Sequence, residues 1–323
     1  MNIGIIGAGN IARVIPEAVK DSNEIQVTAV ASRSLKKAQD FAAKFGIKKA
    51  YGSYEELLAD PEINLIYIAT PHSHHYEHMR LCLNAGKNVL CEKSFTMNAA
   101  QAKEVVALAK EKNLYLAEAI WTRYMPSRKI IDETIKSGLI GKITNLTANL
   151  SYELTTKERL LNPELCGGAL LDVGVYPINF ALMHFGKDID KVESSVKLTD
   201  RGVDGYNSIS IYYKDGRIAQ LTSGLYARSD RKGIFWGEKG YIVVENINNP
   251  QSINVYDDKD QLIKSIPVPS QVNGYEYEVI EADQCIKAGK RESTSMPFSE
   301  TIYVMEFMDK LRKEWGLIYP MEK

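Results

Sequence analysis

Along the first third of the chain, short apolar runs alternate with segments whose apolar residues recur at helical spacing. Residues 2–6, Asn-Ile-Gly-Ile-Ile, end at Gly7 and predict a buried strand, followed by a helix-length segment through Lys20. Residues 25–31 predict a second strand. Residues 35–45 predict a helix with Ala38, Phe41, Ala42 and Phe45 at helical spacing, and residues 54–58 a shorter one stopped near Asp60-Pro61. A strand at 65–69 closes at Thr70-Pro71, and the helix after it ends near Ala85-Gly86, where glycine suits a helix C-terminus. Strands at 88–91 and 114–119 flank a helix at 99–112 that Asn98 is placed to cap. Strands alternating with helices predict a parallel sheet covered on both faces.

Beyond Trp121 the period changes to alternating polar and apolar residues. Strands are predicted at 144–152, 208–213, 219–225, 241–245 and 252–256, with Asp215-Gly216 and Lys239-Gly240 as hairpin turns. Helices are predicted at 127–137, 170–185, 276–288 and 299–315. The expected fold class is therefore α/β. A dinucleotide-binding domain of the Rossmann type occupies residues 1–120. A second α/β domain, built on an antiparallel sheet, occupies residues 121–323.

Composition narrows the partners. With 40 basic and 41 acidic residues the net charge is -1, so no basic excess exists to hold a nucleic-acid backbone. No stretch approaches the ~18 apolar residues needed to span a bilayer, so no membrane partner is expected. The four cysteines form no C-x-x-C pair, and no basic segment precedes Asn2. Both points lead us to expect a cytoplasmic protein.

Gly7-Ala8-Gly9-Asn10-Ile11-Ala12 lies between a predicted strand and a predicted helix. Gly7 permits a tight turn, Gly9 lets the backbone approach a pyrophosphate, and Ala12 allows close helix–strand packing. With Asn10 and Ile11 these residues are the expected phosphate cradle. An NAD site usually carries Asp or Glu at the end of the second strand, but here the chain reads Ala31-Ser32-Arg33-Ser34, with Lys36 and Lys37 beyond. Ser32, Arg33 and Lys37 are suited to a 2′-phosphate, so NADP(H) is the expected cofactor. Thr70 and Pro71, at the end of a strand, are expected beside it. Four of the five histidines follow closely, at 72, 74, 75 and 78. His74 and His78 have zinc-pair spacing, but no nearby acid or cysteine completes a ligand set, and no metal is expected. We assign His72 and His75 to the cofactor and treat His74 and His78 as a solvated helix start.

Three segments carry the candidate chemistry: Cys91-Glu92-Lys93-Ser94, residues 118–126 with Trp121, Arg123 and Tyr124, and residues 167–177 with Asp172 and Tyr176 four apart. Oxidising an alcohol needs a hydride acceptor and a base for the hydroxyl proton. A tyrosine is too weak an acid to serve unaided, and a neighbouring ammonium favours its phenolate. Tyr176 is the expected proton donor and acceptor, Lys93 its assistant, and Asp172 an orienting or substrate-binding group. Glu92, Lys93, Trp121 and Arg123 are expected at the cofactor. Lys93, Asp172, Tyr176 and Asn179 are expected at the substrate.

Together these segments, with residues 274–278, 295–297 and 316–320, resemble the glucose–fructose oxidoreductase, inositol dehydrogenase and rhizopine-catabolism family. The nearest likeness is to its dimeric dihydrodiol dehydrogenase and NADP-dependent D-xylose dehydrogenase branch. The resemblance implies a Rossmann domain followed by a substrate-binding α/β domain with an open, mostly antiparallel sheet, and hydride transfer between nicotinamide and a small polyhydroxylated substrate such as a sugar, polyol or related alcohol. It also implies that Lys93 is the lysine of a Glu-Lys-Pro motif, Asp172 the aspartate of a Gly-Gly-x-x-x-Asp-x-Gly motif, and Tyr176 the proton carrier. Two positions depart from the pattern: Ser94 replaces proline, and Cys166 stands where a third glycine is common. A homodimer through the open sheet face is expected. The competing readings are an NADP(H)-binding sensor without turnover and an enzyme that keeps its cofactor permanently bound.

Overall fold

A computed structural model describes residues 1–322, which divide into two units. The first comprises residues 1–124 and 271–306. Its strands are β1 (Asn2–Ile6), β2 (Gln26–Ala31), β3 (Lys49–Tyr51), β4 (Leu65–Ile68), β5 (Asn88–Glu92) and β6 (Leu116–Ala119). They form one parallel sheet in the order β3-β2-β1-β4-β5-β6, the doubly wound order of dinucleotide-binding folds. Ile3, Ile5, Val30, Leu65, Tyr67 and Leu90 are fully buried, as a sheet covered on both faces requires. β3 was not foreseen, because three residues carry too short a pattern. The first helix is also shorter than expected: a 3₁₀ turn at Ile11–Arg13 leads into Val14–Ala18, which contains Pro16 and so lacks one backbone donor.

The pattern change at residue 120 lies close to the first break in the fold, after Tyr124. Residues 271–306, however, return to the first unit rather than staying with the second. The helix Glu276–Lys287 inserts Val279, Ala282 and Cys285 into the same core as Ile3 and Tyr67. Leu116 N–H also donates to Arg291 O at 3.1 Å. Uncovered apolar sheet surface draws this helix back.

The second unit comprises residues 125–270 and the chain from Phe307. Its strands are β7 (Ile143–Ser151), β8 (Ile189–Leu198), β9 (Asp204–Tyr213), β10 (Ile218–Gly224), β11 (Gly233–Gly237), β12 (Gly240–Val244), β13 (Ser252–Asp257) and β14 (Leu262–Pro267). The sheet order is β14-β13-β12-β11-β7-β10-β9-β8, antiparallel throughout except for β7 beside β10. Leu146, Leu150, Ile209, Leu221 and Phe235 are buried, and the helix Val175–Phe185 packs against β7 and β10. Alternation sends Thr147, Ser208, Thr222 and Trp236 to the other face, where Trp236, Tyr241 and Tyr256 stack in series at 5.1 and 4.9 Å between ring centroids. One expectation is corrected: residues Pro163–Phe185 are long and apolar enough to span a bilayer, with mean hydropathy 1.4. Their apolar window is 94% buried within the protein, so they read as a core segment.

Candidate active site

The first unit builds a glycine cradle. Gly7 has φ +99°, and its N–H donates to Ala31 O at 2.9 Å. A Cβ there would lie 2.9 Å from Ala69 O and 3.1 Å from Thr70 Cγ2, so only glycine fits between β1 and the end of β4. Gly9 and Asn10 are exposed and Ile11 is half-buried. Ala12 is fully buried, as close packing of the following turn demands. The exposed Gly9 backbone leaves room for a pyrophosphate, so these residues fit a dinucleotide.

At the end of β2, Ser32 N–H donates to Tyr51 O on β3, and Ser34 caps the helix Leu35–Phe45 by accepting from Lys37 N–H. Arg33 and Lys37 are exposed. No carboxylate stands at this strand end. Beyond β4, Thr70 and Pro71 are half-buried and His72 is buried. His78 is not a solvated helix residue: its Nδ1 lies 3.0 Å from Thr70 Oγ1 and its ring meets Tyr54 edge-on at 4.8 Å. Burial pushes its imidazole down to about 4.

His75 takes a different place from the one expected. It has no exposed surface, and its Nδ1 and Nε2 each lie 2.8 Å from a carbonyl oxygen, of Ser94 and Thr70 respectively. It therefore ties the loop after β4 to the loop after β5, and it has no surface left with which to touch a cofactor. Burial pushes it down to about 4, so near pH 7 the ring is neutral and its single N–H donates to one of the two carbonyls.

β5 delivers Glu92 and Lys93. Glu92 is buried, receives a hydrogen bond from the Tyr67 hydroxyl, and accepts Lys93 N–H at 3.2 Å. Lys93 is half-buried, and the Lys93–Ser94 peptide bond is cis. After β6, Trp121 stacks on Tyr275 with centroids 4.4 Å apart and planes 10° from parallel. Arg123 is only 3% exposed and pairs with Glu300 at 3.2 Å. Both were expected at the cofactor. The structure instead sets them against the returning segment, which the sequence pattern had left in the other domain.

The second unit carries Asp172 and Tyr176, the residues expected at the substrate. Cys166 has φ 54°, which explains why glycine is common there. Gly167 and Gly168 lead into a π-helical turn, Leu170–Gly174, that continues as the helix Val175–Phe185. Asp172 lies in the π turn and Tyr176 in the first α turn, both 6% exposed. π turns recur at functional sites because they reset side-chain direction within a helix. Asp172 Oδ1 accepts from Arg159 Nη1 at 3.0 Å and Nη2 at 3.1 Å. No spacing signal announced Arg159, which comes from the short helix Glu158–Leu161. Asn179 is corrected: it is fully buried and its amide donates to Val175 O at 2.8 Å, so it belongs to helix packing rather than to a substrate surface. Among the described residues no three His, Cys, Asp or Glu side chains gather as a metal site.

Comparison with known proteins spans nearly the whole chain. Residues 1–119 match the oxidoreductase family with an NAD-binding Rossmann fold, and residues 129–243 match the GFO/IDH/MocA C-terminal domain. Trans-1,2-dihydrobenzene-1,2-diol dehydrogenase of Mus musculus is 34% identical over 99% of this chain and 98% of its own. D-xylose 1-dehydrogenase (NADP(+)) of Hypocrea jecorina is 34% identical over 98% of this chain and 92% of its own. Among solved structures, KijD10, a 3-ketoreductase from Actinomadura kijaniata in complex with NADP and TDP-benzene, is 25% identical with a TM-score of 0.88, covering 97% of both chains.

Proposed function

For a chain that belongs to the GFO/IDH/MocA oxidoreductase family, we propose NADP-dependent dehydrogenation or reduction at a CH–OH or carbonyl carbon of a sugar, polyol or dihydrodiol. The observation that carries this reading is the pairing of the Gly7 cradle with a strand end bearing Ser32 and Arg33 in place of a carboxylate. A guanidinium and a hydroxyl suit a 2′-phosphate, whereas an NAD site wants an acceptor for the ribose hydroxyls. The NADP named for the xylose dehydrogenase and bound to the ketoreductase supports the same choice.

When bound, the nicotinamide supplies the hydride acceptor or donor. In the oxidative direction Tyr176 Oη takes the substrate hydroxyl proton as the carbon–hydrogen bond gives up its electron pair and the carbonyl forms. In reduction the same phenol returns the proton to the carbonyl oxygen. The Lys93 ammonium favours the phenolate that the oxidative step needs. Asp172, held by Arg159, binds a second substrate hydroxyl and fixes the reacting carbon.

The test is a panel of sugars, dihydrodiols and diketones, following NADPH absorbance with NAD(H) in parallel. We expect turnover on at least one class with a preference for NADP(H). Tight cofactor binding with no turnover across the panel would identify a sensor instead. We also propose a homodimer through the sheet face that carries Trp236, Tyr241 and Tyr256, an aromatic row suited to burial against a second copy. A sedimentation coefficient that stays monomeric with rising concentration would reject it. Four buried cysteines outside any disulfide suit a reducing, cytoplasmic setting, which cell fractionation would test.

A further inference from the structure

The proton relay proposed above gives no part to residues 316–320, although they include the buried Tyr319. Gly316, at φ +68°, turns the chain back after the helix Phe298–Glu314, and Leu317 N–H donates to Arg312 O at 2.9 Å. The Tyr319 hydroxyl then donates to Gly167 O at 2.8 Å, across 152 residues of sequence. Its ring is held on two sides. The buried Arg312 guanidinium lies over it, 4.8 Å from the centroid. Glu322 accepts from Arg312 Nη1 at 2.7 Å and Nη2 at 2.9 Å, and from Tyr319 N–H at 3.0 Å. The turn Pro320–Glu322 also packs against the turn Pro163–Leu165, just ahead of Gly167.

We propose that Tyr319 is a positioning residue for the substrate site: residues 316–322 form a strap that orients the Gly167–Gly168 peptide and, through it, the Arg159–Asp172 pair. This rests on the reading of Asp172 as a substrate-binding group. Gly167 O and Gly168 N–H are opposite edges of one peptide plane. The Tyr319 hydroxyl holds the first edge, and Leu160 O accepts from the second at 2.8 Å. Leu160 lies beside Arg159 on the short helix Glu158–Leu161, and Gly167 N–H donates to Asn162 O, just past it, at 3.1 Å. In the other direction, Gly168 leads through Ala169 into the π turn that carries Asp172. The two partners of the ion pair thus join the fold on either side of this one plane. Neither glycine has a side chain to lock the segment by packing, and Gly168 sits at φ +116°, so hydrogen bonds set its course. Without the hydroxyl, Gly167 O is left short of a donor and the plane is free to tilt. A tilt moves Arg159 relative to Asp172, and small displacements at a substrate-binding group are costly in rate. Tyr319 itself is only 1% exposed, so it acts through the backbone and not by touching substrate.

The experiment is a double-mutant cycle in the full chain, Tyr319→Phe with Arg159→Met, on a substrate that the wild type turns over. Calorimetric titration with NADP+ counts the competent sites in each protein. Tyr319→Phe keeps the ring over Arg312 and removes only the hydroxyl. Its kcat/KM per NADP+-binding site should fall about five- to tenfold, the scale of one hydrogen bond, with NADP+ affinity unchanged. In the Arg159→Met background the same substitution should cost less than about twofold, because no pair is left to position. Glu322→Ala keeps the hydroxyl but releases Arg312 and Tyr319 N–H. It should give a smaller loss that Arg159→Met also absorbs, and it carries the cycle if Tyr319→Phe does not fold. A tyrosine that only stabilised the fold would cost the same in both backgrounds. That result, or wild-type kcat/KM in Tyr319→Phe, overturns the strap while leaving the proposed function standing. No wild-type turnover on any sugar, dihydrodiol or diketone overturns the function and the strap together.

Discussion

Asp172 has a charged neighbour, Arg159, that lies thirteen residues upstream and outside every motif. Both guanidinium contacts fall on one oxygen, Oδ1, so under the proposed function Arg159 is a positioning residue for Asp172. Arg159→Met should lower kcat/KM about tenfold, the ~1.4 kcal/mol scale of a hydrogen bond to a charged group. NADP+ affinity should not change, and Arg159→Lys, a point charge without the fork, should recover only part of the loss. Unaltered kcat/KM in the Met variant would leave Asp172 to orient itself. Lys93→Met and Tyr176→Phe test the proton transfer directly: each should lower kcat by roughly 10²–10⁴-fold with cofactor affinity largely kept. Near-normal turnover in either removes that residue from the relay. Lys93, Asp172 and Tyr176 could be singled out from the sequence because each sits in a motif with fixed neighbours. Arg159 was not, because the fold rather than the spacing makes the pair. His75 and Asn179 were misplaced for the opposite reason. Polar residues near a motif look like ligands until burial shows them bonded to backbone carbonyls.

At the scale of elements, the entry to the helix that carries Tyr176 depends on Gly167 and Gly168. A Cβ on Gly167 would lie 2.5 Å from Leu160 O, and one on Gly168 2.1 Å from Asp204 Oδ1. Gly168 also has φ +116°. The Asp204 carboxylate it leaves room for accepts Leu170 N–H at 2.7 Å, the first donor of the π turn. Gly168→Ala should therefore displace Asp204, free that donor and loosen the turn that holds Asp172. Gly86 offers a control, with φ +75° and no atom within 4 Å of an added Cβ. Gly86→Ala should cost about 1 kcal/mol in urea denaturation, and Gly168→Ala at least about twice that, with lost turnover. Equal costs would mean the Asp204 contact is easily relieved. The glycines were visible in the sequence, but their reason was not, since Leu160 and Asp204 come from other elements. Strands followed the same rule. β7, β9, β10, β12 and β13 show clean alternation and were found near their observed bounds. β8 and β14 were missed: β14 is almost wholly exposed, and β8 carries charges along its length, so neither has an apolar face to detect. β11 is only five residues, with glycine at both ends.

For the whole molecule, hydrophobic period separated two sheets but not two contiguous domains. Nothing local in residues 276–287 says which sheet that helix covers; Val279, Ala282 and Cys285 would suit either, and only the assembled first sheet selects it. The same long-range burial sets the pH response. His75, fully buried, has its value lowered to about 4, so the folded state prefers the neutral ring. Its contribution is complete above the ordinary value near ~6.5 and is lost as pH falls toward about 4. Glu118 in the first unit and Asp204 in the second are raised to about 7 by burial. For these the folded state prefers the protonated acid. Their contribution is complete below the ordinary carboxylate range and is lost as pH rises through about 7. Two variants separate the limbs. Glu118→Gln replaces the protonated acid with a neutral amide, so its stability relative to wild type should climb between about pH 4 and pH 7 and then level. His75→Gln should show its largest deficit above ~pH 6.5, shrinking as pH falls toward about 4. Urea midpoints for the three proteins across that range test both signs at once. A Glu118→Gln difference that is flat with pH would mean the carboxyl ionises in the fold without penalty, with water reaching a side chain that is 1% exposed.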